Sequence, residues 1–127
     1  MKTASILAAA VMAFGLAACA GDMAPAKSAA TGLGNVLADA KGMTLYTFDR
    51  DTMAGKSACN GPCAQNWPPM MVAEGAMASG DWSVVTRDDG GKQWAYKGKP
   101  LYTWARDQKP GDTTGEGFNN IWHVARP

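Results

Sequence analysis

The chain has 127 residues with 46% hydrophobic and 18% charged positions, which is room for one small domain and not for a multi-domain enzyme. Lys+Arg 12 against Asp+Glu 11 leaves a formal net charge of +1, so composition gives no electrostatic footprint for nucleic acid or a strongly acidic partner. Gly 15 and Pro 7 are plentiful, but five Trp, three Tyr and three Phe supply the aromatic surface of a packed domain rather than a disordered one.

The first element in chain order reads as an address. Lys2 supplies a positive start, and Ile6 to Leu16 is an apolar run of the kind found in secretory leaders. It is too short to span a bilayer as a helix, for which about 20 apolar residues are needed. The run ends in Leu16-Ala17-Ala18-Cys19, which resembles the lipobox of bacterial lipoproteins: an aliphatic residue, two small ones, then the Cys. The resemblance implies cleavage after residue 18 and acylation of Cys19. Ordinary secretion competes, because Ala18-Cys19-Ala20 also satisfies a small-x-small cleavage rule that would leave a chain starting at Gly21. Cysteine arithmetic favours lipidation: of Cys 3, acylation of Cys19 leaves Cys59 and Cys63 as an even pair.

One acyl chain holds a protein only marginally, at about 0.8 kcal/mol per buried methylene, so two or three make a lasting anchor. The expected partner is therefore a membrane, reached through lipid. Loss of Lys2 with the 1–18 leader also equalises acidic and basic side chains. In a Gram-negative host, Ala20 stands where an Asp would resemble an inner-membrane retention signal, so the outer membrane is expected. Residues 19–34 are mostly Gly, Ala, Pro, Ser and Thr and read as a flexible, disordered tether.

The folded domain is expected over 35–127, as an all-β class with a small antiparallel sheet. Val36 to Ala38 and Thr44 to Phe48 are strand-like runs around a turn at Ala40-Lys41-Gly42. Trp82–Arg87 and Lys92–Lys97 flank Asp88-Asp89-Gly90-Gly91, a strong hairpin signal. Leu101 to Trp104 and Ile121 to Ala125 complete the strands. A short helical turn fits Ala64 to Trp67 before Pro68-Pro69 ends it.

The most specific feature is internal. Residues 39–51 align without gaps with residues 95–107. Identical pairs are Lys41/Lys97, Gly42/Gly98, Leu45/Leu101, Tyr46/Tyr102, Thr47/Thr103, Arg50/Arg106 and Asp51/Asp107, and Phe48/Trp104 is an aromatic exchange. The domain is thus built from two related hairpin repeats, too few for a solenoid. Tyr46-x-Phe48-x-x-Asp51 and Tyr102-x-Trp104-x-x-Asp107 resemble the Tyr-x-(Phe/Trp/Tyr)-x-x-Asp signature of small bacterial lipoproteins also called the secreted repeat of unknown function. Cys59-x-x-x-Cys63 before Trp67-Pro68-Pro69, and the closing Trp122-His123-Val124, resemble the same family. The resemblance implies an envelope lipoprotein without an assigned activity or ligand.

Strand alternation puts Tyr46 with Phe48, and Tyr102 with Trp104, on one face each, where such rings serve as core. Asp51 and Asp107 fall past the strand ends, positioned to accept hydrogen bonds from turn amides or a neighbouring Tyr hydroxyl. The competing reading makes the two Tyr–Asp pairs the lining of a polar site. Cys59-Asn60-Gly61-Pro62-Cys63 suits a disulfide in an oxidising envelope, closing a loop that contributes about 2 kcal/mol. A redox role competes, although three residues separate the thiols where oxidoreductases usually have two, and no His follows Cys63 for haem attachment.

Met70 and Met71, with Met77 close by, are soft ligands that suit Cu(I), and His123 is the one imidazole in the chain. Met also fills irregular cores, which is the simpler reading. Alternation places His123 opposite Trp122 and Val124, on an exposed or partly covered face. With a single His, no G-x-S-x-G, no P-loop and no zinc-ligand cluster, no nucleophile–base set is visible. The expectation is a lipid-anchored envelope protein that binds or supports rather than catalyses, needs no cofactor and makes no nucleic-acid contact. The rival is a periplasmic redox or metal protein, handling copper or haem through Met, His123 or the Cys59/Cys63 pair.

Overall fold

The computed structural model describes residues 24–127, so the leader, Cys19 and the tether as far as residue 23 lie outside the described residues. The regular structure of the described residues is nearly all strand, in three small antiparallel sheets, with one five-residue α-helix and a 3-10 turn at Phe118–Asn120. Its first strand begins earlier than composition suggests. Strand β1 (Lys27–Thr31) runs antiparallel to β2 (Gly34–Ala38), from Lys27 opposite Ala38 to Thr31 opposite Gly34. The expected tether over 19–34 therefore ends by Lys27, and the folded domain does not wait for Asn35. Ser, Ala and Thr in β1 bury little, so no hydrophobic alternation marks the strand; the backbone ladder and a closed turn hold it instead. In that turn the Thr31 hydroxyl donates to the Gly34 carbonyl at 2.8 Å and accepts from the Leu33 amide at 3.1 Å.

After β2 the chain turns at Asp39, whose carboxylate accepts the amides of Lys41 and Met43. Gly42 closes the turn at φ 85°, and its repeat partner Gly98 has φ 84°, a left-handed conformation that explains Gly at both equivalent positions. The chain continues through β3 (Tyr46–Phe48), α1 (Pro62–Asn66), the β4 (Trp82–Thr86) and β5 (Lys92–Tyr96) hairpin, β6 (Lys99–Pro100) and β7 (Trp122–Val124). In the hairpin turn the Asp89 carboxylate accepts the Gly91 amide at 2.9 Å.

Pairing crosses between the repeats. Strand β3, from the first copy, pairs with β7, which ends the second: Tyr46 lies opposite Val124 and Phe48 opposite Trp122. Conversely, Tyr102 of the second copy bridges Pro69, which closes the first. The two motif strands meet at their tyrosines, where the Tyr46 amide donates to the Tyr102 carbonyl at 2.7 Å and the Tyr102 amide returns the bond at 3.0 Å. The run Leu101 to Trp104, read as a strand from its composition, makes these bridges at Tyr102 without continuing as a ladder.

Alternation along the motif strands then sorts side chains onto two cores. Tyr46, Tyr102 and Trp104 face one cluster with Val36, Cys59, Trp67, Trp122 and Val124, and Phe48 packs against it. Leu45 and Leu101, one residue earlier, face a second cluster with Ala26, Leu37 and Ala125.

Candidate functional site

The motif residues form two reciprocal constructions. The Tyr46 hydroxyl donates to Asp107 of the other copy at 2.6 Å, and the Tyr102 hydroxyl donates to Asp51 at 2.6 Å. Each carboxylate also accepts an amide seven residues on: Asp51 takes that of Ala58 at 2.6 Å, and Asp107 that of Thr114 at 3.0 Å. One side chain thus closes its own turn and ties the other repeat to it. Both tyrosines are fully buried, so their hydroxyls face protein rather than a ligand-sized space. Burial raises both phenol pKa values above the ordinary range, and the hydrogen bond to the carboxylate raises them further. The carboxyl of Asp51 is also raised, because its desolvation outweighs the bonds from Tyr102 and Ala58.

Between the two Tyr–Asp pairs stands an aromatic stack. Trp67 and Trp122 lie face to face, with centroids 3.8 Å apart and planes 1° from parallel. Trp104 stacks on the outer face of Trp67 at 3.9 Å, and Phe48 on that of Trp122 at 4.1 Å. Tyr46 meets Trp67 edge-on at 5.3 Å and Tyr102 meets Trp122 edge-on at 5.1 Å. Gly115 lets this stack close, since a Cβ there would fall 2.7 Å from the Trp67 ring.

Cys59 and Cys63 are joined in a disulfide, with Cys59 fully buried against the aromatic cluster. Beside it lies a buried cation that sequence reasoning missed. The Arg87 guanidinium donates to Ser57, Gln93, Asn60 and the Cys59 carbonyl at 2.6–3.2 Å. Nothing in its position at the end of a hairpin strand marks it as buried. Only the fold shows that the disulfide loop wraps it with neutral acceptors.

Two grooves remain. The larger, about 860 Å³, is bordered by Pro25, Pro69, Met70, Met71, Met77 and Trp94, with Asp39, Lys41, Ser79 and Thr103 among its polar lining. Met71 and Met77 are 51% and 84% exposed. The second, about 360 Å³, is bordered by Tyr96, Lys97, Lys99, Leu101, His123 and Arg126. The methionines and His123 thus line different grooves, and the fold does not assemble them into one ligand set. His123 projects from the face of β7 opposite Trp122 and Val124. Its Nε2 lies 2.9 Å from Asp49, and its Nδ1 3.5 Å from Glu116. Burial opposes the imidazolium, but the bonds and charges of Asp49 and then Glu116 outweigh it and raise the His123 pKa. Among the described residues no group of three or more His, Cys, Asp or Glu is placed to hold a metal ion.

A family described as a secreted repeat of unknown function matches the chain twice, over residues 27–71 and 83–126. The chain belongs to this family. No curated protein and no solved structure matches it. Among the described residues no helix is long and apolar enough to cross a membrane. Each secreted repeat is longer than the thirteen-residue similarity of 39–51 and 95–107. It takes in a leading hairpin, the motif strand, and a closing run that begins at Trp67 in the first copy and Trp122 in the second. The two tryptophans that open the closing runs are the pair that stacks at the centre of the molecule.

Proposed function

We propose that this secreted repeat protein is a lipid-anchored component of the bacterial envelope that acts by binding an apolar ligand, without catalysis. The leader and Cys19 support the anchor, as does the pairing of the two remaining cysteines with each other. In a Gram-negative host the residue after Cys19 favours the outer membrane. The observation that carries the binding reading is the apolar groove of about 860 Å³ beside Trp94. Ligand sites are typically concavities of about 300–1,000 Å³ with mostly apolar walls and a few polar groups, and this groove has that character. The motif residues serve the scaffold: their rings fill the core and their polar atoms bond to one another.

Two measurements test the reading. Replacing Cys19 with Ser should move the protein from the membrane to the soluble fraction and abolish incorporation of labelled fatty acid. An apolar solvatochromic dye should bind the purified protein saturably and shift to the blue. Met71→Asp and Met77→Asp should weaken that binding about tenfold or more by placing charge in an apolar site. Dye binding indifferent to both substitutions would remove the groove from the account.

A second reading has one observation in its favour: Met70, Met71 and Met77 border the same groove. Thioethers are soft ligands suited to Cu(I). Stoichiometric Cu(I) binding that is lost in Met71→Leu and Met77→Leu would favour a metal role over an apolar ligand. In the Cys59/Cys63 pair, Cys59 has no exposed surface for an attacking thiol, so exchange would have to enter at the half-buried Cys63.

A further inference from the structure

The two grooves occupy corresponding places in the duplicated scaffold but differ in chemistry. Lys41 and Thr103 border the first, and their repeat counterparts Lys97 and Thr47 border the second. The closing run supplies Pro69, Met70 and Met71 to the first groove, and His123 to Arg126 to the second. Where one copy presents thioethers, the other presents cations.

Lys97, Lys99 and Arg126 are exposed, and among the described residues none has a carboxylate at ion-pair distance; Lys56 and Lys109 do. Arg126 is anchored, since its Nη1 donates to the carbonyls of Leu33 at 2.7 Å and Asn35 at 3.1 Å, leaving the other guanidinium nitrogens free of those bonds. The Lys97 ammonium lies 5.2 Å from the centre of the Tyr96 ring. Asp49, the one carboxylate bordering the groove, is engaged by His123 at 2.9 Å. Glu116 faces the other side of that imidazole and also accepts the Val124 amide at 2.8 Å. With both carboxylates set against His123, positive charge still remains in excess.

We propose that this groove binds a phosphate monoester group, borne either by a small soluble molecule or by a lipid headgroup. A phosphate monoester carries roughly −1.5 to −2 charge at neutral pH, which matches several converging cations better than a single carboxylate does. The guanidinium of Arg126 gives a planar fork for two phosphate oxygens, and Lys97 and Lys99 act as mobile point charges around it. The half-buried ring of Tyr96 offers apolar surface to the carbon skeleton that bears the phosphate. The site does not depend on occupancy of the methionine-lined groove.

The test uses glycerol 3-phosphate as the soluble probe, and vesicles of phosphatidylcholine with or without phosphatidic acid as the lipid probe. Amide resonances of residues 96–99, 101 and 123–126 should shift saturably with glycerol 3-phosphate, or the Cys19→Ser protein, which has no acylation site of its own, should float with the phosphatidic acid vesicles alone. The first outcome supports a soluble ligand and the second a headgroup. In either case the Lys97→Gln/Lys99→Gln double variant should weaken binding about tenfold or more, since charge-assisted bonds are lost. Both lysines are exposed, so the variant should retain the fold. Met77→Gln, in the other groove, should leave binding unchanged. Absence of response to both probes, binding indifferent to the lysine substitutions, or an equal response to acetate would overturn the proposal.

Discussion

Tyr46 and Tyr102 each combine a ring with no exposed surface and a hydroxyl that has found a carboxylate at 2.6 Å. Replacing either with Phe keeps the ring but strands its partners. Asp107 and the Gly115 amide lose a bond in Tyr46→Phe, and Asp51 and Ser57 in Tyr102→Phe. Each substitution should cost about 1–3 kcal/mol in chemical denaturation with the fold retained, the range expected for orphaning buried polar groups. Alkaline behaviour follows from the raised phenol pKa values. The folded protein holds these protons while the unfolded chain releases them near pH 10. Stability from this source is therefore intact below about pH 10. It falls as pH rises further, by up to roughly 1.4 kcal/mol per tyrosine per pH unit. Phenolate absorbance from both should appear together with unfolding, whereas early, independent titration of either would contradict its burial. The sequence made the rings and the turn-side placement of Asp51 and Asp107 legible, because both follow from strand alternation. It did not reveal that each carboxylate serves the tyrosine of the other copy, since nothing local encodes which hydroxyl arrives.

Among the elements, the Asp88-Asp89-Gly90-Gly91 hairpin was readable because its turn chemistry is local, and its strands pair over five residues as that chemistry requires. Strand β1 was not readable, because its Ser, Ala and Thr residues share the composition of a linker and only the partner strand distinguishes them. The Cys59–Cys63 loop was readable from its cysteines, but its load was not. Its backbone carbonyl at Cys59 accepts from the buried Arg87 at 2.6 Å, so the loop holds a cation as well as a turn. Replacing both cysteines with Ala should lower stability by about 2 kcal/mol on loop-closure grounds. Retention of the fold, with a lower melting temperature, is the expected result in thermal denaturation. Complete unfolding would mean that the loop, through Arg87, organises more of the domain than its length implies.

For the whole molecule, duplication was legible in the aligned repeats, but the exchange of closing runs was not, because pairing within a copy satisfies the same pattern as pairing between copies. The exchange has a mechanical consequence. The first copy's motif strand finds its ladder in β7, and the second copy's bridges Pro69, while the central Trp67–Trp122 contact takes one ring from each. Neither repeat therefore has a core of its own, and a chain of some 50 residues is marginal even with one. Cutting in the exposed stretch 73–78 should leave the two halves associated, as expected for a surface loop. Each half made separately should be unfolded, without near-ultraviolet circular dichroism from its tryptophans, and mixing the halves should restore the native signal with concentration-dependent kinetics. A single half that folds as a monomer would refute the shared core. One that folds as a dimer would instead support it, because two identical copies would then be making between chains the exchange that this protein makes within one.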